Sequence, residues 1–357
     1  MSPLVRVWVR RTIPLLALGL AAGLFFVNLQ YVKLAPAQND FVSKWVAGSE
    51  WIQNGISPYD PQISLESEQR VYGRPANADR GEDPVHFLYP MPVVVLFAPL
   101  GILDYGSALA IWMSLLEIAL LGGSLLWVPA LAWRPSGWMV AALLAFSALW
   151  FPAFAALVQG QIVILAALFL AGGLAAMRGR RDALAGFLFV AALIKPQLAV
   201  GVLVYTLIWA FVVGRRQLIG WVIAGLVLIV GISLLLEPRW PLEMLRQLFD
   251  YFRLPLSQSA VGRLSAWFGF GTVGTLVMTG GALVYLVWEW KESIPGDPMR
   301  FLWTAALTQC IMLAVIPFAT LPNLITLVFP IAVILEAWYV RHGTSTDGPA
   351  ALVLALL

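Results

Sequence analysis

The chain of 357 residues contains one cysteine, Cys310, and two histidines, His86 and His342. A lone thiol inside an apolar run builds neither a disulfide framework nor a thiolate zinc site, and two imidazoles are too few for a metal cluster. Charge is scarce too: 11% of residues are Asp, Glu, Lys or Arg, where soluble domains carry about 25%. With 61% hydrophobic residues and a mean hydropathy of +0.85, too few polar side chains remain to cover a surface in water. Secreted, nuclear and cytosolic readings fall away, and a nucleic-acid partner with them. The formal net charge of +3 points to no acidic partner. Composition predicts an all-α, polytopic integral membrane protein, solvated by lipid and forming a single transmembrane domain over residues 1–357.

A hydrocarbon core about 30 Å thick needs about 20 apolar residues to cross it. The first such run, 13–31, follows Arg6, Arg10 and Arg11 and has no small-residue cleavage site. It reads as a retained helix with a cytoplasmic N-terminus. Further runs cover 109–128, 138–157, 162–177, 183–194, 198–213, 218–236, 270–288, 301–316 and 324–340. The final run, 350–357, is too short to cross. Residues 87–103 are apolar enough to span but hold Pro90, Pro92 and Pro99. Counting charge decides their placement. If they cross, Arg178, Arg180, Arg181, Arg215, Arg216 and Arg341 fall outside; if they do not, these join Arg134, Lys291 and Arg300 in the cytoplasm. The segment is expected to re-enter or lie along the outer face, leaving about ten crossings.

Two long segments then face outward, 35–103 and 237–269, polar over 35–86 and 237–263. The first holds Asp40, Glu50, Asp60, Glu66, Glu68, Asp79, Glu82 and Asp83 against Lys44, Arg70, Arg74 and Arg80. Within it Phe41, Trp45, Gly48, Trp51 and Ile52 recur at helical spacing, which predicts a helix lying along the membrane surface and ending at Asn54-Gly55. Ser57-Pro58-Tyr59 starts an extended or turn segment. Residues 66–83, charged and containing Gly and Pro, read as a mobile loop. Three short connectors, 158–161, 194–197 and 321–323, carry Gln161, Lys195, Gln197 and Asn323 to the same outer side.

Lys195 follows a helix of about twelve residues, roughly 18 Å long. A lysine held below the headgroups costs several kcal/mol unless paired or hydrated, which makes it a functional candidate; the alternative is a lysine that snorkels outward. Asp40, just after the first span and beside aromatic residues, suits a general base acting on a hydroxyl, or a cap for the surface helix. A cation near the headgroups suits a departing phosphate, with Lys195 the first candidate and Arg263 the second. Gln161 and Gln258 are placed to hold phosphate or sugar. Trp45, Trp51, Tyr59 and Tyr89 could stack on a sugar or form an aromatic belt. Together these residues describe transfer from a lipid phosphate to an alcohol at the outer surface. No cofactor is required, since a lipid monophosphate can depart on protein cations alone, although the outer carboxylates leave room for a divalent metal ion.

The succession Asp40-Phe41, Gly55 with Pro58-Tyr59, Tyr89-Pro90 ahead of Ala98-Pro99-Leu100, Gly160-Gln161, and Lys195-Pro196 resembles glycosyltransferase family 87. These are polyprenyl-phosphate-mannose-dependent mannosyltransferases of the GT-C superfamily. The resemblance runs in order over most of the chain. It implies a GT-C-type helix bundle in the plasma membrane with its site facing away from the cytoplasm. A catalytic aspartate in the first outer loop matches Asp40, and the implied donor is a polyprenyl-phosphate-linked hexose, transferred with inversion to a lipid or glycan acceptor. With the polar connectors and the outer tyrosines, the substrate-binding candidates are Tyr59, Tyr89, Gln161, Gln197, Gln258 and Asn323. The chain departs from the family pattern at Tyr89-Pro90-Met91-Pro92, where two adjacent prolines are common, and at Val163, where an asparagine often stands. It departs again at Thr320-Leu321-Pro322-Asn323, where some members carry a histidine.

Two other classes compete. A transporter or lipid flippase would share broken helices and a buried lysine, but is expected to show symmetry between halves, and no convincing repeat is visible. A noncatalytic envelope scaffold would use the outer loop to bind a partner. Replacing Asp40 separates them, because only the enzyme reading requires activity to collapse while abundance and topology are kept.

Overall fold

A computed structural model describes residues 3–34, 40–252, 258–317 and 320–342; the short run expected at 350–357 lies outside them. Among the described residues the regular structure is helical throughout. In chain order the helices are α1 (Pro3–Leu34), α2 (Phe41–Asn54), α3 (Pro61–Tyr72), α4 (Met91–Gly101), α5 (Tyr105–Ala130), α6 (Gly137–Leu149), α7 (Phe151–Val158) and α8 (Val163–Arg178). There follow α9 (Asp182–Ala192), α10 (Pro196–Val212), α11 (Arg216–Leu236), α12 (Trp240–Phe252), α13 (Ala260–Trp267), α14 (Gly271–Ser293), α15 (Pro298–Val315) and α16 (Val328–His342). A 3-10 helix, Leu321–Leu327, leads into α16. The chain is a polytopic, all-α membrane protein.

Local chemistry sets many of the boundaries. Asp60, Asp104, Ser136, Ser259 and Asp297 each accept a hydrogen bond from a backbone N–H in the first turn of α3, α5, α6, α13 and α15, satisfying donors a helix start leaves open. Gly55 and Gly73 end α2 and α3 in the left-handed conformation, which glycine adopts without a Cβ penalty. The stop expected at Asn54-Gly55 is therefore where the helix ends.

Four single helices, α5, α11, α14 and α15, and the stretch Leu321–His342 are long and apolar enough to cross a membrane. Helix α1, of 32 residues, covers the expected run 13–31, and the other expected spans are shorter or broken. The run 138–157 divides into α6 and α7, bent by 52°, because Trp150 is extended and Pro152 opens the second helix. Helix α9 has 11 residues, about 16 Å at the α-helical rise. Helix α4, also of 11 residues, is equally short, as the three prolines in 87–103 suggest.

Residues 66–83 differ from the loop expected there. Helix α3 runs through Tyr72, and a 3-10 turn occupies Ala78–Arg80. Arg74 grips both carboxylate oxygens of Glu82 at 2.8 and 2.6 Å, and the buried Glu68 accepts from the Ala76 N–H at 2.9 Å. Helix α2 is also more enclosed than a surface-lying helix, with Phe41 through Ser49 all buried. It packs on α4 at a crossing made by two glycines. A Cβ on Gly48 would stand 2.9 Å from the Phe97 carbonyl carbon, and one on Gly101 would stand 2.5 Å from the Ser49 nitrogen.

The two ends of the bundle differ in charge. At one end Arg215 donates to Asp182 at 2.8 Å and to the Met177 carbonyl at 2.5 Å, joining the connector after α8 to the connector after α10. Trp209 and Phe301 meet at 4.8 Å between ring centroids, and Trp133 and Tyr339 at 5.9 Å. The charge of Arg178 reaches Glu336 of α16, so Arg300, Arg134 and Arg341, the sequence neighbours of these rings, belong to that same end. Asp40 and Lys195 lie at the other.

Candidate active site

Asp40 sits at the entrance to α2, held from several directions. Its backbone N–H donates to the Gln159 carbonyl at 3.0 Å. Next to it Phe41 is fully buried, 5.7 Å from Phe97, and Phe97 packs on Trp112 at 4.5 Å. The Trp112 indole N–H donates to the Gly160 carbonyl at 2.8 Å. This aromatic cluster fastens α2, α4, α5 and the turn before α8 to one another. Gly160 has φ of +60°, and a Cβ there would meet the Phe41 Cβ at 2.9 Å, so the turn can approach α2 this closely only with glycine.

The carboxylate makes no capping bond to its own helix. Lys44, one turn on, forms an ion pair with Oδ2 and donates to the Asp40 carbonyl at 2.5 Å. The Tyr89 hydroxyl donates to the same Oδ2 at 2.9 Å, and the Lys44 ammonium stands 4.3 Å from the centre of the Tyr89 ring. The Lys44 side chain is 0% exposed, whereas that of Asp40 keeps 30% of its surface open. Burial alone would push the Asp40 carboxyl up. The charges of Lys44 and Lys195, with the hydrogen bonds from Lys44 and Tyr89, outweigh it and hold the carboxyl below its ordinary range. Burial, joined by the charge of Asp40 and its bond, raises the Tyr89 phenol well above its usual value, so it remains a donor.

Lys195 lies in the connector between α9 and α10 and is 4% exposed. It donates to Gln161 Oε1 at 3.0 Å and so does not snorkel to the headgroups. Burial, aided by the charge of Lys44 and opposed by that of Asp40, brings its ammonium down to about 8. Asp40, Tyr89, Gln161 and Lys195 thus lie together at one end of the bundle. Tyr59 is buried, and its hydroxyl donates to the Tyr89 carbonyl at 2.8 Å; it reaches the site through Tyr89. Asn323 is buried in the 3-10 helix, which packs on α7 and α8, the two helices that flank the Gln161 turn. Gln197 is half-buried in the first turn of α10. Gln258 and Arg263 are exposed, before and within α13.

Of the aromatic residues expected to stack on a sugar, Trp45 is buried in packing. Its indole N–H donates to the Leu100 carbonyl at 3.2 Å, its ring meets Tyr105 edge-on, and the Arg70 guanidinium lies over it at 4.7 Å. Trp51 is half-buried.

The sequence reading missed Lys44, whose i, i+4 spacing from Asp40 was the available signal. It also missed α12, which docks on the segment that links α2 to α4. Ser57 donates to Glu243 at 3.2 Å, Gln247 to the Tyr59 carbonyl at 2.9 Å, and Tyr251 to Asp83 at 2.9 Å. Glu243, Gln247 and Tyr251 recur every four residues, along one face of α12. Among the described residues no three His, Cys, Asp or Glu side chains gather closely enough to hold a metal ion.

The molecule is a helical membrane protein with a partly open carboxylate and two buried lysines gathered at one end of its bundle. The profile of glycosyltransferase family 87 matches residues 87–357. The chain belongs to that family and is a glycosyltransferase, which takes a sugar donor and an acceptor. The matched stretch contains Tyr89, Gln161 and Lys195 and begins after Asp40 and Lys44. No curated protein and no solved structure matches the chain.

Proposed function

We propose that the chain transfers a hexose, mannose by its family resemblance, from a polyprenyl-phosphate donor to an acceptor hydroxyl at the extracytoplasmic face of the plasma membrane, with inversion. The observation that carries this reading is the placement of a partly exposed, ionised Asp40 beside a buried Lys195. A carboxylate that is open on one side can take a proton from an acceptor hydroxyl. A desolvated ammonium close by can stabilise the phosphate as the bond to the sugar breaks, and low dielectric strengthens that interaction. Asp40 acts as base, Lys195 holds the donor phosphate with Gln161 beside it, and Arg263 is the second phosphate contact, from α13. Tyr89, Gln197, Gln258 and Asn323 contribute polar contacts to the sugar or acceptor, and Tyr59 acts through Tyr89. The acceptor is a lipid or glycan, and the surrounding membrane lipids deliver the polyprenyl chain.

The test is transfer of radiolabelled mannose from polyprenyl-phosphate-mannose in membranes with matched amounts of wild type and Asp40→Asn. Loss of a general base lowers rates by about 10²–10⁴, so labelled product is expected from the wild type alone. Equal product from both would remove Asp40 from the mechanism, and none from either would reject transfer from this donor to the acceptors those membranes hold.

A further inference from the structure

The two oxygens of the Asp40 carboxylate are treated differently. Among the described residues, both side-chain hydrogen bonds to it, from the Lys44 ammonium and the Tyr89 hydroxyl, fall on Oδ2. Lys44 is fully enclosed and also bonds the Asp40 carbonyl, so it fixes the carboxylate and the backbone that bears it. Tyr89 is fixed in turn, since its carbonyl accepts from Tyr59 and its ring packs 5.8 Å from Phe87. We propose that Lys44 and Tyr89 are positioning residues that clamp Oδ2, which leaves Oδ1 as the atom that takes the acceptor proton. The inference rests on the reading of Asp40 as the base.

In the transfer step the acceptor hydroxyl oxygen forms a bond to the anomeric carbon and its proton passes to Oδ1. The bond from that carbon to the phosphate oxygen breaks, and its electron pair leaves with the phosphate. A clamped carboxylate offers one lone pair in a fixed direction, as proton transfer within a positioned pair requires. The clamp also keeps the base ionised in an enclosed setting. The groups facing it are Lys44 on its own helix, Tyr89 before α4 and Lys195 between α9 and α10. Across the site, Asp83 and Tyr251 of α12 also feel its charge. Of these, Lys44 and Tyr89 touch the carboxylate.

The test is the pH profile of kcat/KM for transfer, whose acid limb reports the base of the free enzyme. Removing the charge in Lys44→Met is expected to move that limb up by about 1–3 pH units, the span over which a neighbouring cation shifts a carboxyl. Lys44→Arg keeps the charge and should return the limb toward the wild-type position. Tyr89→Phe keeps the ring beneath Lys44 and removes one bond to Oδ2; the limb should move in the same direction by less, with kcat falling by about tenfold, the worth of one hydrogen bond to a charged group. Tyr89→Phe decides the matter if Lys44→Met does not fold. An acid limb that stays in place while rates fall would overturn the clamp and leave Lys44 and Tyr89 as packing residues. Transfer that persists in Asp40→Asn would instead overturn the base reading itself.

Discussion

Lys195 carries the cost of a buried cation, and the proposed function gives that cation a use. Its ammonium is almost fully buried and donates to the neutral Gln161, and burial brings it down to about 8. The group is charged below that value and neutral above it. If the cation holds the donor phosphate, kcat/KM should fall as pH rises through about 8, while the acid side is governed by Asp40, which stays ionised below its ordinary range. Lys195→Arg, whose guanidinium is charged at every working pH, should lose the alkaline limb even if it transfers more slowly. An alkaline limb unchanged in Lys195→Arg would assign it to another group. Lys195, Gln161, Tyr89 and Asp40 were legible in the sequence because a polar side chain among apolar residues is conspicuous. Lys44 was not: a lysine in an acidic segment looks like one solvated charge among many, and only the folded contact shows that it is the partner of Asp40.

At the scale of elements, the position of Asp40 depends on how α2 sits against α4 and on the turn before α8. Gly48 and Gly101 let the two helix backbones touch. A methyl group at Gly101 would lie 2.5 Å from the Ser49 backbone nitrogen, and backbone cannot swing aside as a flexible side chain can. Gly101→Ala is therefore expected to separate the helices, destabilising the protein by about 1–3 kcal/mol, as overpacking typically does. A lower thermal midpoint in detergent, together with slower transfer, would register it; an unchanged midpoint would show that α2 and α4 can part without cost. The surface-lying helix was inferred from its amphipathic pattern, and its start and stop were readable. What the pattern could not reveal is that α4 covers it, since two glycines spaced far apart in sequence carry no signal until they meet. The misreading of 66–83 has a local cause. Gly73 and Pro75 mark the end of α3, while the signal for its start, Asp60 capping with Pro61 behind it, lies before the charged stretch.

At the scale of the whole molecule, the distribution of charge and the geometry lead to the same two ends by separate routes. The positive-inside pattern of the sequence alone groups Arg134, Arg178, Arg180, Arg181, Arg215, Arg216, Lys291, Arg300 and Arg341 on one side. In the fold, the Arg215 bonds to Asp182 and Met177, the ring contacts of Trp209 and Trp133 and the reach of the Arg178 charge to Glu336 draw Arg134, Arg215, Arg300, Arg341 and the stretch around Arg178 to one end. Helix α8 runs from the Gln161 turn to that end, and α9 returns to Lys195, so the site lies opposite. Positive charge favours the cytoplasm, and the site should therefore open outward. Cys310 is the only cysteine, so Cys310→Ser gives a clean background for single thiols. Gln62→Cys, exposed in the first turn of α3, should react in intact cells with a maleimide that cannot cross membranes. Gln217→Cys, exposed at the start of α11 beside the arginine pair, should react only after permeabilisation. The reverse pattern would invert the molecule, and with it the face from which donor and acceptor reach Asp40.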